Sequence, residues 1–253
     1  MQMMQVSGNF CSRPCHNSVL KQGMKWICLL LCLSLPLMGC ERSPSVLGAS
    51  STVLPPGYVG VDLSHHNGRI DWDQLEAAPV DFIYLKATEG GDWKDPRFLA
   101  HWREAKARGW LVGGYHFYRL CRPGEEQAQN FIQTVEVRQG TLPPAVDLEY
   151  AHNCEPYGST EETLADLDQF LLSLEAEYGV RPVLYTTKEF HADWLAGRYD
   201  TYPLWLRALG DEIPETRDHR QADIWQYTMS ARVPGIEGKV DMNRVPGVRA
   251  DNK

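Results

Sequence analysis

Two carboxylates separated by one residue stand in the segment Pro143-Pro144-Ala145-Val146-Asp147-Leu148-Glu149-Tyr150. Side chains on a strand alternate between faces, so Asp147 and Glu149 project together, roughly 6.5–7 Å apart at the backbone. Two carboxyl groups crowded into one site cannot both ionise easily, and one proton is held to higher pH. A general acid working near neutrality needs such a proton. Cleavage of a glycosidic bond uses one carboxylic acid to protonate the leaving oxygen and one carboxylate to stabilise the positive, sugar-like transition state. By itself an Asp-x-Glu pair is a weak signal, because such pairs are common on solvated strand edges. The apolar flank of Ala145, Val146 and Leu148 argues for burial. Asp62 in Gly60-Val61-Asp62-Leu63-Ser64 and Asp241 in Val240-Asp241-Met242-Asn243 are further acids inside apolar runs. A charge so placed has to be paired, hydrogen-bonded or functional. Each is therefore either a structural aspartate bonding loop amides or a support for the active site.

These residues need a scaffold that gathers strand ends. Eight short apolar runs read as strands: 58–63, 82–87, 111–118, 145–149, 182–186, 204–206, 224–227 and 240–242. Helical patterns fall between the early ones. One runs from Asp95-Pro96 to Arg108, a second from Gly124 to about Arg138, and a third from Ser159, which forms a capping box with Glu162, to Tyr178-Gly179. After Thr186 the helices shorten. Strands alternating with helices imply a parallel sheet, and eight strands suggest closure into an α/β, TIM-like barrel with an incomplete helix ring. In such barrels the chemistry sits at the C-terminal strand ends. Polar residues collect there: Asp62 with Ser64, His65, His66 and Asn67; Lys86 and Glu89; His116 and Tyr118; Asp147 and Glu149; Asp241 and Asn243. If the first and last strands meet at closure, Asp62 and Asp241 lie side by side. His116 reads equally as an interior group or a substrate contact, and Lys86 with Glu89 as a structural ion pair.

The 253 residues, 43% hydrophobic and 23% charged, suit one large domain. A net charge of −8 and the lack of basic runs argue against a nucleic-acid partner. No phosphate-cradling glycine loop or zinc-type spacing is present, and His65-His66 offers too few donors for a metal, so no metal or cofactor is expected. Residues Lys25–Cys40, KWICLLLCLSLPLMGC, follow the pattern of a bacterial export signal ending in a lipobox-like Leu37-Met38-Gly39-Cys40, which makes Cys40 the expected lipidation site. Met24-Lys25 would be a compact start for that signal. Residues 41–57, rich in Ser, Pro and Gly, read as a tether, and 58–250 as the catalytic domain. The expected location is the cell envelope, with the lipid in a membrane and the protein a monomer. Only Cys121 and Cys154 lie beyond Cys40, and an oxidising compartment favours a disulfide between them over two unrelated thiols.

The motifs GVDLSHHNGRIDW, FIYLKATEGGDWKDPRF, GGYHFYR, AVDLEY, LYTT, LW, IWQYT and VDMNR, in this order over residues 58–246, resemble the glycoside hydrolase family 25 lysozymes, the Chalaropsis-type muramidases. The resemblance implies a barrel of eight strands and five helices. It implies cleavage of the β-1,4 bond between N-acetylmuramic acid and N-acetylglucosamine in peptidoglycan. By position it makes Glu149 the general acid. Asp147 would orient the substrate acetamido group or act as the ionised partner, and Asp62 and Asp241 complete the acidic cluster. Tyr118, Tyr185, Trp205 and Gln226 fall at positions near the sugar. A barrel that binds peptidoglycan without cutting it, and a hydrolase of another acetamido-glycan such as chitin, are the competing readings.

Overall fold

The computed structural model describes residues 54–136 and 140–247. The export signal with Met24 and Cys40, and the tether up to residue 53, lie outside the described residues. Nine strands are present: β1 (Val59–Leu63), β2 (Phe82–Glu89), β3 (Trp93–Lys94), β4 (Leu111–Phe117), β5 (Ala145–Leu148), β6 (Val183–Thr187), β7 (Leu204–Arg207), β8 (Ile224–Ala231) and β9 (Val240–Arg244). Pairing runs β1-β9-β8-β7-β6-β5-β4-β2, and a β1–β2 pairing closes the ring, so eight strands form a barrel. The two-residue β3 pairs with β2 outside it. Five helices, α1 (Trp72–Glu76), α2 (Phe98–Ala107), α3 (Gly124–Ile132), α4 (Thr160–Tyr178) and α5 (Lys188–Phe190, continued by a π turn over His191–Leu195), cover part of the outside. Among the described residues no helix is long and apolar enough to cross a membrane.

The sheet is not wholly parallel. β9 runs antiparallel to both β1 and β8. Residues 232–239 between β8 and β9 are too few for the crossover that a parallel return needs, so the chain turns back as a hairpin. Asp241 therefore begins its strand instead of ending it, and still reaches the same end of the barrel as Asp62, with which it is in register.

The chain uses local chemistry to start and stop the longest helix. The Ser159 hydroxyl accepts from Glu162 N–H while the Glu162 carboxylate accepts from Ser159 N–H. Gly179 closes the other end at φ 68°, a left-handed conformation that glycine adopts without strain. α3 stops at Ile132, short of the expected end. α2 starts at Phe98, after Asp95, whose Oδ1 accepts from Arg97 N–H and whose Oδ2 accepts from His65 N–H and faces His65 Nδ1, each at 2.9 Å.

Two apolar layers result. Between strands and helices, residues such as Val61, Ile83, Val146, Phe131, Phe170 and Leu171 are buried. Inside the barrel, beneath its mouth, large rings fill the space: Phe82, Tyr84, Tyr185 and Trp205, with Tyr84 and Trp205 ring centres 4.9 Å apart. Gly60 and Gly113 make room for them. A Cβ at either position would lie 2.4 Å from the Phe82 or Tyr84 ring, closer than side-chain carbons approach. The aromatic plug sets the depth of the barrel mouth.

Candidate active site

A cavity of about 470 Å³ opens at the mouth of the barrel. Asp62, Asp147, Glu149 and Asp241 all line it. Period-two alternation along β5 places Asp147 and Glu149 on the cavity side while Val146 and Leu148 enter the outer apolar layer. Asp62 and Asp241 come together through the β1–β9 register.

Asp62 sits in a cradle of amides. Its Oδ2 accepts from Gln226 Nε2 at 3.0 Å and from Asn243 Nδ2 at 2.8 Å. Each amide is itself oriented: Tyr185 O–H donates to Gln226 Oε1 at 2.9 Å, and Trp205 Nε1–H donates to Asn243 Oδ1 at 2.8 Å. An amide whose oxygen is already bonded must turn its NH2 toward the acid. Burial pushes the Asp62 carboxyl up, and these two amides act against it. Tyr185 and Trp205 thus line the cavity and steer its acids, whereas Gln226 lies buried behind Asp62.

The remaining acids are held above the ordinary carboxylate range. Burial, then the charge of Glu149, push Asp147 well up, and its Oδ1 is buried without a hydrogen-bond partner. Burial raises Glu149, opposed most strongly by Arg207. Burial and the neighbouring Asp62 raise Asp241 to about 7. A cluster of this kind retains protons near neutrality, the property that general acid catalysis demands.

Of the mouth residues that escaped sequence reading, two end their strands. Arg207, at the end of β7, places Nη1 2.9 Å from Glu149 Oε2. The alternation Trp205-Leu206-Arg207 was the available signal, since it puts Arg207 on the same side as Trp205. Phe117 is the other: it lines the cavity opposite Asp147 in the β4–β5 register. Tyr118, expected near the sugar, does not reach the cavity. One residue further along the chain, it turns outward and packs edge-on against Phe170 of α4, ring centres 5.3 Å apart. His116 shares that outward parity and is an interior group, facing Thr88 Oγ1 at 2.7 Å and Gln127 Oε1 at 3.1 Å. Its burial lowers its pKa to about 3.

Lys86 and Glu89 form an ion pair at 2.7 Å on the cavity wall. Three residues apart, they would face opposite sides of a regular strand; a bulge between Lys86 and Thr88 turns both inward. Arg119 Nη1 reaches Glu89 at 3.3 Å and donates to His152 O at 2.7 Å. Cys121 and Cys154 are joined by a disulfide, linking the loops after β4 and β5. Between them Asn153 Nδ2 donates to Tyr118 O and Glu149 O at 2.8 and 2.9 Å, and its Oδ1 accepts from Leu120 N–H and Cys154 N–H. The backbone carrying Glu149 is therefore fixed from several sides. No group of three or more His, Cys, Asp or Glu suited to a metal ion occurs among the described residues.

A barrel with proton-retaining carboxyl groups converging at its mouth defines a glycoside hydrolase. Residues 61–236 match the glycosyl hydrolases family 25, and the chain belongs to that family. Among its relatives, lysozyme M1 of Streptomyces globisporus is 32% identical over 224 residues, covering 84% of this chain and 75% of the relative. The uncharacterized protein YegX of Escherichia coli K12 is 31% identical, covering 75% and 71%. Among solved structures, a family 25 glycosyl hydrolase from Bacillus anthracis superposes with a TM-score of 0.70 at 31% identity, over 76% of this chain and 90% of the other. A bacterial lysozyme from Streptomyces coelicolor does so with a TM-score of 0.69 at 30% identity, over 78% and 95%.

Proposed function

We propose that this glycoside hydrolase is an N-acetylmuramidase that hydrolyses the β-1,4 bond between N-acetylmuramic acid and N-acetylglucosamine in peptidoglycan. The observation that carries this reading is the convergence of Asp62, Asp147, Glu149 and Asp241 in one cavity. Its similarity to lysozymes supplies the substrate class.

Glu149 protonates the glycosidic oxygen as the bond to the anomeric carbon breaks. Its proton affinity, raised by burial, suits that task. Asp147 is its partner on the same side of the strand, placed to hold the substrate acetamido group or the developing positive charge. Asp62, fixed by Gln226 and Asn243, adds negative potential around the oxocarbenium-like centre, and Asp241 beside it holds a proton up to about neutral pH. Tyr185 and Trp205 present apolar ring surface to the sugar and keep the Asp62 amides oriented. No metal or cofactor enters the scheme.

The export-signal pattern and Cys40 support a location in the cell envelope, with a lipid tether to a membrane and peptidoglycan strands as partner. Such a tether restricts cutting to its own length and favours local wall remodelling. Release of the protein into the medium by intact cells would count against the anchor.

The test is digestion of purified peptidoglycan by the wild type beside Glu149→Gln, with products read by mass spectrometry after borohydride reduction. Reduced muramic acid ends from the wild type alone are the expected result. Intact glycan with both proteins, across several peptidoglycan sources, would overturn the reading.

A further inference from the structure

Arg207 poses a question that the acid cluster does not answer. Its guanidinium lies at the cavity wall with Nη1 2.9 Å from Glu149 Oε2, and its side chain is only 22% exposed. A guanidinium keeps its charge at any working pH and donates without accepting. Held against Glu149, it favours the ionised form of the group that has to deliver a proton, and it crowds Oε2, which makes no hydrogen bond there. The pair opposes the reaction. Removing Arg207 from Glu149 without another partner would leave a partly buried cation unpaired, at a large cost in free energy. Turnover therefore calls for a second anion to receive Arg207.

The walls do not offer one. Asp62 is committed to Gln226 and Asn243, and Glu89 to Lys86 and Arg119. Asp147 and Asp241 are held toward their protonated forms by burial. The other charged or titratable groups facing this space are Lys86, Lys239, His66, His152, Tyr115 and Tyr185, none of them anionic at neutral pH. The receiving anion must come in with the substrate.

We propose that Arg207 is a receptor for a carboxylate carried by the saccharide, held by Glu149 until it is exchanged to the substrate on binding. The exchange leaves Glu149 free to hold the shared proton of the Asp147–Glu149 pair and turn it toward the glycosidic oxygen, so cleavage is coupled to recognition of an acidic sugar. Carboxylates of two origins fit this chemistry: the 3-O-lactyl group on muramic acid in strands stripped of peptide, and the peptide stem in intact peptidoglycan. The inference rests on the peptidoglycan reading above.

The experiment compares wild type with Arg207→Gln on stripped glycan strands and on the same strands after methyl esterification of their carboxylates, then repeats the pair with intact and esterified peptidoglycan. The wild type is expected to favour the free carboxylate by about ten- to a hundredfold in kcat/KM, mostly through KM, as befits one hydrogen bond to a charged group. In Arg207→Gln that preference collapses toward one, and the alkaline limb of the pH profile moves to higher pH because Glu149 has lost its cation. Collapse on stripped strands assigns the lactyl carboxylate; collapse confined to intact peptidoglycan assigns the stem. Arg207→Lys keeps the charge and is expected to keep part of the preference, which provides a folded comparator should Arg207→Gln be unstable. A purely structural Arg207 would lower activity on free and esterified substrate by the same factor. That result, or a wild type indifferent to esterification, overturns the proposal. Failure of the wild type to cut any of the four substrates would overturn the muramidase reading instead.

Discussion

Replacing Cys121 and Cys154 together by serine separates what the disulfide does for the folded site from what it does for the unfolded chain. The bond closes a loop of 33 residues. The chain-entropy relation, with a constant of about 2.1 plus 1.5R ln n cal/mol/K, gives about 12.5 cal/mol/K for such a loop, or about 3.7 kcal/mol at 25 °C. In a domain of this size 1 kcal/mol moves Tm by about 2–4 °C, so the double variant should melt about 7–15 °C lower. The folded loop has other ties. Asn153 bonds four backbone groups around it and Arg119 donates to His152 O, so Glu149 should keep its place without the sulfur bridge. The expected phenotype is a large loss of thermal stability with kcat at 25 °C within about threefold of wild type. Calorimetry under oxidising conditions, and wild type with and without reductant, provide the check. Equal melting would refute the account of stability. A collapse of kcat at unchanged Tm would refute the claim that Asn153 and Arg119 can hold the loop without the bridge.

The amide cradle and the acid beside it make their own predictions. Asn243→Asp replaces the donor 2.8 Å from Asp62 with a second carboxylate and leaves Trp205 Nε1–H bonded; kcat/KM at pH 7 should fall more than tenfold with the Trp205 fluorescence environment retained, and full activity would show that Asp62 needs no donor there. For Asp241 the folded carboxyl sits at about 7 against an ordinary 3.8. The folded chain then binds that proton more tightly than the unfolded chain, so its stabilising contribution is complete below the ordinary value and is lost as pH climbs through 7. Asp241→Asn should accordingly raise Tm relative to wild type more at pH 8 than at pH 4, and a difference that does not vary with pH would contradict the assignment.

Much of this architecture was legible because burial leaves a pattern in the chain. The runs at 82–87, 145–149 and 182–186 carry β-forming apolar residues between turn signals, and each became a barrel strand within a residue or two. Ser159 with Glu162 announced the start of α4 through hydrogen bonds that are local and need no tertiary context. The Asp147–Glu149 pair was readable for a related reason: alternation on one strand is a property of the chain alone. What depended on partners was harder. The direction of β9 is invisible in its composition; the signal that went unread was the short, helix-free stretch before it, with Pro234-Gly235. Tyr118 lay one position out of phase with the cavity side, and a strand's inward parity is fixed only when its neighbours are known. Arg207 went unread, because its partner Glu149 meets it only when the barrel closes.

The reversed last strand also decides where the chain leaves the barrel. Had β9 run with its neighbours, the polypeptide would have finished at the mouth, beside the acids. Instead it descends, and at the opposite floor it zips against the start of the domain: Val245 N–H donates to Tyr58 O at 2.8 Å, and Gly57 N–H donates to Val245 O at 3.0 Å. Entry and exit thus share one pole while catalysis occupies the other. A segment joined ahead of residue 54 attaches at the base of the barrel, opposite the acids. Additions at either end of the domain would likewise leave the mouth unobstructed.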